Sequence, residues 1–300
     1  MKNFLFCVLV VFFFASCNQN QRTELSASND NGSIFHFTSG TQISTTYKTT
    51  RHALRDYDSP IGLYTGMFEA SEFDDTKSYM YANKITISID SLKDGSVWGH
   101  SIVAGNSRPF TGTVTKGDPE LFITAKEPGD DRYDGEFTFV IKGGYITIEG
   151  AWAANDKNLP VTKRTYILER REFFYNAELM LPEGVQWDAL YGTFNEDTYE
   201  GERLTADVFK YNASTTRLKS KDISNMYRAD LEVMRNAIYA RHGYSFKNRR
   251  MRYIFDNYVN WYMPISTNIT NELTQLEKDN IELLKRYEAH AEKYYDSFGR

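Results

Sequence analysis

Between Ile61 and Glu172 apolar and polar residues alternate with a period of two, and turn signals interrupt the pattern at short intervals. Two is the side-chain period of a β-strand, so this part of the chain is confined to short antiparallel strands. Leu63-Tyr-Thr-Gly-Met-Phe-Glu69 reads as the first, and Lys84-Ile-Thr-Ile-Ser-Ile-Asp90 sets Ile85, Ile87 and Ile89 on one face. Lys93-Asp94-Gly95 then reverses the chain, Asp-Gly being a strong hairpin signal. Val97 to Ala104 returns, and Pro109 to Lys116 pairs with Leu121 to Glu127 around Gly117-Asp118-Pro119. Glu136 to Ile141 follows Asp134-Gly135, Gly143-Gly144 makes a two-residue turn into Tyr145 to Glu149, and Arg164 to Arg170 closes the series. The expectation is a meander of about eight strands joined mostly as hairpins.

An open meander leaves two unpaired edges, and closure into a small barrel is the usual remedy. The opening Gly62-Leu-Tyr-Thr-Gly-Met-Phe68 resembles the first strand of lipocalin-like barrels. A small lipocalin-like barrel is therefore expected, with a sandwich as the alternative. A barrel of this size is either filled by its own side chains or holds one small ligand. A filled interior is expected here, and carriage of a small apolar molecule is the alternative.

Upstream, Lys2 precedes an unbroken apolar run from Phe4 to Phe14. The run is short of the about 20 residues a spanning helix needs and suits a secretory leader. Phe14-Ala15-Ser16-Cys17 resembles a bacterial lipobox, although phenylalanine stands where leucine is usual. That resemblance implies cleavage before Cys17 and acylation of its thiol. Cysteine usage agrees: Cys7 would leave with the leader, so Cys17 would be the only cysteine of the mature chain, with no disulfide available to it. Two or more acyl chains anchor a protein stably where one does not. Asn18 to Ser33 is rich in Asn, Gln, Ser and Thr and reads as a tether. Loss of Lys2 takes the net charge from −5 to −6, which speaks against nucleic acid as a partner.

The C-terminal part is helical. Leu231, Met234 and Ile238 fall at i, i+3 and i+7, and Gly243 stands where a left-handed stop is expected. Asn248 caps a second helix from Arg249 to about Asn257, with Met251, Ile254 and Phe255 inward. Thr274-Gln-Leu-Glu277 is a capping-box pattern, and Leu276, Leu283, Tyr287, Ala291 and Tyr294 form the stripe expected of a third helix. At the end of the first helix stands Tyr239-Ala240-Arg241-His242-Gly243. With Phe246-Lys247, Phe255, Trp261-Tyr262 and Leu273 to Glu288, the stretch from Ser220 to Glu288 resembles the YARHG domain. The resemblance implies an extracytoplasmic bacterial module, with no reaction and no catalytic residues attached.

The resulting layout is α+β in two domains. Residues 1–17 form a lipoprotein leader, 18–57 a tether, 58–172 the antiparallel β-domain, 173–219 a connector partly packed by Trp187 and Phe194, and 220–300 the helical YARHG domain. Arg241, His242, Tyr244, Arg249, Arg252, Trp261 and Tyr262 are the candidate binding residues, since guanidinium forks and aromatic faces suit anionic glycan, phosphate or a partner's carboxylates. The competing expectation has Arg241 and His242 capping a helix end. Gly99-His100-Ser101 lacks the second glycine and the strand–turn–helix context of a nucleophile elbow. Asp130 to Asp134 echoes a calcium loop, with Arg132 at a ligand position and Ile141 where the terminal glutamate belongs. The five histidines show no metal spacing, and neither a cofactor nor a phosphate-loop fingerprint is indicated. The reading is a membrane-anchored cell-envelope lipoprotein that binds a glycan or protein partner, held by its acyl chains on the periplasmic or surface face of the outer membrane. An enzyme or enzyme accessory acting on envelope glycan is the alternative.

Overall fold

The computed structural model describes residues 57–117, 119–184, 194–195, 200–201 and 204–294. The leader, Cys17, nearly all of the tether and Trp187 lie outside the described residues, and nothing is described of the Phe194 side chain. Residues 56–300 form one compact unit.

Eight antiparallel strands close a barrel in which each pairs with its neighbours in sequence and β1 pairs with β8. They are β1 (Gly62–Phe73), β2 (Ala82–Lys93), β3 (Ser96–Val103), β4 (Asn106–Lys116), β5 (Leu121–Lys126), β6 (Gly135–Lys142), β7 (Thr147–Ala154) and β8 (Val161–Arg170). Closure excludes the sandwich. Met67 faces Lys84 on one side and Ile167 on the other, so the first strand is the seam. The β2–β3 hairpin turns through Asp94 (φ 51°) and Gly95 (φ 76°), as the Asp-Gly pair predicts. Ala104 and Gly105 make a similar turn that starts β4 at Asn106, three residues before the expected Pro109. The Gly143-Gly144 turn is longer than two residues. Tyr145 also takes a positive φ, and Ile146 N–H donates to Lys142 O.

Alternation fills the interior. Phe68 lies 5.8 Å from Trp152 and 5.7 Å from Tyr166, while Phe137 lies 5.7 Å from Phe110 and 6.2 Å from Tyr166, between ring centroids. These contacts occupy the space a small ligand would need. Gly99 is required by that packing, because a Cβ there would lie 2.5 Å from the Phe110 ring and 2.2 Å from Ser88 O.

The helical part comprises a 3-10 turn (Ala206–Phe209), α1 (Ser220–Ile223), α2 (Arg228–Arg241), α3 (Arg249–Tyr258) and α4 (Gln275–Tyr294). Helix α2 is buried on nearly every side rather than along one stripe. Leu181, Leu204, Val208, Ala213 and Leu218 share its core, so the described parts of the stretch read as a connector pack into the helical module. Among the described residues no helix is long and apolar enough to cross a membrane.

Helix α3 lies against β2, which explains why Thr86 and Ser88 are buried although they face out of the barrel. Lys84 Nζ donates to the carbonyls of Val259 and Tyr262, both at 3.1 Å, and its backbone N–H donates to Asp256 Oδ2 at 2.9 Å. Arg249 donates to Ser78 Oγ and Tyr79 O, and Arg252 to Asn83 Oδ1. Gly105 N–H donates to Ser245 Oγ at 2.9 Å. Barrel and helices thus meet through a polar seam of hydrogen bonds.

Candidate functional site

The end of α2 is fixed by a Schellman stop. Gly243 has φ +71°, its N–H donates to Ala240 O, and Tyr244 N–H donates to Tyr239 O at 3.1 Å. The rings of Tyr239 and Tyr244 lie 5.9 Å apart and supply the contact that accompanies such a stop. Any Cβ at Gly243 would also come within 2.3 Å of Ile265 Cγ1.

The two motif residues before the glycine point inward. His242 Nε2 meets Glu277 Oε2 at 2.9 Å, and the Tyr175 ring stacks on the imidazole at 4.2 Å between centroids. Tyr175 OH donates to Glu277 Oε1 at 3.0 Å. Glu277 is fully buried and also closes the capping box of α4, taking hydrogen bonds from Thr274 N and Oγ1. Burial alone would raise its carboxyl. The bonds from His242, Thr274 and Ser214 together outweigh burial and hold it at about 2. Burial and the Glu277 charge push the Tyr175 phenol up to about 12. Arg241, 3% exposed, donates through Nε to Leu179 O at 2.8 Å and through Nη1 to Ser214 Oγ at 3.3 Å. Burial draws its guanidinium down to about 10, with Glu277 opposing. Trp261 Nε1 donates to Met180 O at 2.7 Å, and Asn212 Nδ2 to Ala177 O at 2.6 Å.

These contacts share one object. Tyr175 to Leu181, extended from the last barrel strand, lies along the end of α2, and the module holds it by one ring and three carbonyls. The motif works here as a clamp on the chain's own peptide.

Of the candidate binding residues, Arg241, His242 and Tyr262 are buried in the module, and Tyr262 OH donates to Tyr244 O. Arg249 and Arg252 face the barrel. Arg235 forms a two-point pair with Glu288 at 2.6 and 2.9 Å, and Arg250 pairs with Glu232. Arg241, Arg249 and Arg252 therefore do not gather into one cationic patch, because each guanidinium finds an oxygen of its own as the chain packs. Of the seven, Tyr244 lines a broad surface concavity.

That concavity is a cleft of about 820 Å³ between α2, α4 and the loops that precede α3 and α4. Tyr239, Tyr244 and Leu273 form its walls, with nearly buried Phe246, Met251 and Ile281 beneath them. Lys247, Lys278 and Lys285 stand at the rim, with Asn268 and Thr270 opposite. Sequence reasoning missed the α4 side because its stripe of Leu276, Leu283 and Tyr287 lies one residue off the buried face, which it meets at Ala291. The face that turns inward carries Glu277, Asn280, Ile281 and Leu284, and two polar members disguise it. Asn280 is buried because it serves Leu218 N, Ala213 O and Thr216 O. The signal available was Lys278 and Lys285, seven apart and hence on one face, flanking Ile281.

No curated protein and no solved structure matches the chain. Residues 206–289, in the C-terminal part of the chain, match the family model of the YARHG domain, a module typical of extracytoplasmic proteins.

Proposed function

We propose that the protein is a lipid-anchored lipoprotein of the cell envelope whose folded body binds a partner, with the cleft beside the motif helix as its working surface. The observation that carries this reading is a division of labour within one helix end. Arg241 and His242 are spent on the clamp, while Tyr239 and Tyr244 face an open cleft. A concave, largely apolar pocket with a few convergent polar groups is where a binding site is expected. The filled barrel is the rigid body that presents it, and the tether from Cys17 sets its distance from the membrane. A glycan-processing role for Arg241, His242 and Trp261 finds no support in this geometry, because a stacked, paired imidazole with 6% exposure does not meet a substrate from solvent.

A photo-crosslinking amino acid placed at Thr270, on the cleft rim, is compared in cells with one at Thr115, exposed on the barrel wall. Discrete adducts from position 270 and none from 115 are expected. Equal labelling at both positions overturns the reading. For the anchor, radiolabelled palmitate should enter the wild-type chain and not Cys17→Ala.

A further inference from the structure

The cleft carries a charge opposite to that of the chain. The protein is net negative, at −5, yet Lys247, Lys278 and Lys285 converge on one cavity. All three side chains are exposed, and among the described residues none has a carboxylate within ion-pair distance. The other charges at the cleft are already matched, Arg235 by Glu288 and Glu232 by Arg250. Glu282 is the one lining carboxylate without an ion-pair partner among the described residues, so the cleft keeps a surplus of positive charge. The phenols of Tyr239 and Tyr244 have no hydrogen-bond partner among the described residues, although both rings are half buried.

We infer that the cleft takes a short acidic peptide segment of a protein partner, its carboxylates at Lys247, Lys278 and Lys285 and an apolar side chain against Tyr239, Tyr244 and Leu273. The inference rests on the reading of the cleft as the working surface and adds the chemistry of its occupant. A glycan fits less well. Sugar hydroxyls need a dense set of amide and carboxylate partners, and most of those at this cleft are spent. Asn236 Nδ2 donates to Glu232 O, Asn248 Oδ1 caps α3, and Asn268 Oδ1 accepts from Thr270 N. What remains is an apolar wall, two phenols, three ammonium groups and the single Glu282 carboxylate. That set matches acidic side chains interleaved with an apolar one. Ammonium groups at the rim also steer an acidic segment toward the cleft, in a manner that salt screens.

The test uses the mature full-length chain with Cys17→Ser and a fluorescein-labelled peptide, Asp-Leu-Glu-Phe-Glu, followed by fluorescence anisotropy at low salt. Its amide counterpart, Asn-Leu-Gln-Phe-Gln, and tri-galacturonate are the comparison probes. The acidic peptide is expected to bind, to weaken as salt is raised, and to bind the Lys278→Glu/Lys285→Glu variant at least about tenfold more weakly. Lys278→Gln/Lys285→Gln, a milder change at the same exposed positions, should fall between the two. Absence of acidic-peptide binding, equal binding of the amide peptide, or an affinity indifferent to both variants overturns the inference, and so does tighter binding of tri-galacturonate that the same variants weaken. The two readings fail separately. If both peptides bind alike and Leu273→Arg blocks both, the cleft stands and its charge preference falls. If crosslinking at position 270 gives no adduct, the cleft itself falls.

Discussion

His242 Nε2 and Glu277 Oε2 meet 2.9 Å apart across 35 residues of chain, and the same Glu277 closes the capping box of its own helix. One buried carboxylate thereby joins the end of α2, the start of α4 and, through Tyr175, the segment leaving the barrel. Glu277→Ala removes all three links and leaves His242 buried without its partner. Breaking a buried pair in this way costs about 3–5 kcal/mol. Urea denaturation of the variant should show a loss of that size, and a loss below about 1 kcal/mol would show the network to be incidental.

The same carboxylate sets an acid limit. Its folded pKa, about 2, lies below the ordinary 4.5, so the folded chain binds this proton less readily than the unfolded one. Its contribution is complete above about pH 4.5 and disappears as pH falls toward about 2. The difference corresponds to about 3 kcal/mol. The urea midpoint of the wild type should therefore drop across that window, and Glu277→Gln should drop less steeply. Parallel pH profiles would remove Glu277 from the acid response.

Gly243→Ala tests the helix stop. A Cβ in the left-handed region costs about 1–2 kcal/mol, and overpacking adds about 1–3 kcal/mol. Gly184 separates the two effects, because it has φ +76° with nothing among the described residues within 4 Å of an added Cβ, whereas Gly243 has φ +71° and Ile265 Cγ1 at 2.3 Å. Gly184→Ala should lose only the backbone part, and Gly243→Ala clearly more in the same urea titration. Equal losses would mean that Ile265 yields freely.

What the sequence disclosed was local. Gly243 as a stop, Thr274 with Glu277 as a capping box, Asn248 as a cap and the Asp94-Gly95 hairpin each depend on neighbours within a few residues, and each is present. The strands were legible because an alternating pattern has one buried face. Hidden from that reasoning were positions whose partners come from far along the chain. Leu179 O and Met180 O receive Arg241 and Trp261 from 62 and 81 residues away, and nothing in the polarity of residues 173–184 announces this. Glu277 and Asn280 are polar yet fully buried, so an apolar-stripe reading of α4 lands on its flank. The cleft opens along the opposite flank, where Lys278, Ile281 and Lys285 lie, which is why Tyr239 was visible in the motif and Lys278 and Lys285 were not.

The seam between barrel and helices holds two groups that feel each other's charge, Asp256 and Lys84, joined by the Lys84 backbone N–H rather than by a salt bridge. Burial pushes the Asp256 carboxyl up and the Lys84 ammonium down, and each partner's charge opposes that shift in the other. Lys84→Met removes the ammonium's two carbonyl bonds and its charge near Asp256 while keeping the backbone bond, so it should destabilise, and Lys84→Met/Asp256→Leu should recover part of the loss. Chemical denaturation of the three variants, Asp256→Leu included, gives the coupling directly. Additive losses would show that the two groups are held by the surrounding carbonyls rather than by each other.

The barrel interior makes a last, independent prediction. Phe137 is 1% exposed and touches Phe68, Phe110 and Tyr166. Phe137→Ala should cost about 3–5 kcal/mol, the usual loss when a large aromatic leaves a core that only partly collapses. The void would be lined by the rings of Phe68, Phe110 and Tyr166, and an apolar cavity of this kind stays dry and admits benzene. Benzene should therefore raise the melting temperature of Phe137→Ala and leave the wild type unchanged, because a ligand stabilises only a state with room for it. If the wild type also responds to benzene, the native barrel already contains a site, and carriage of a small apolar molecule returns as a function for this half of the chain.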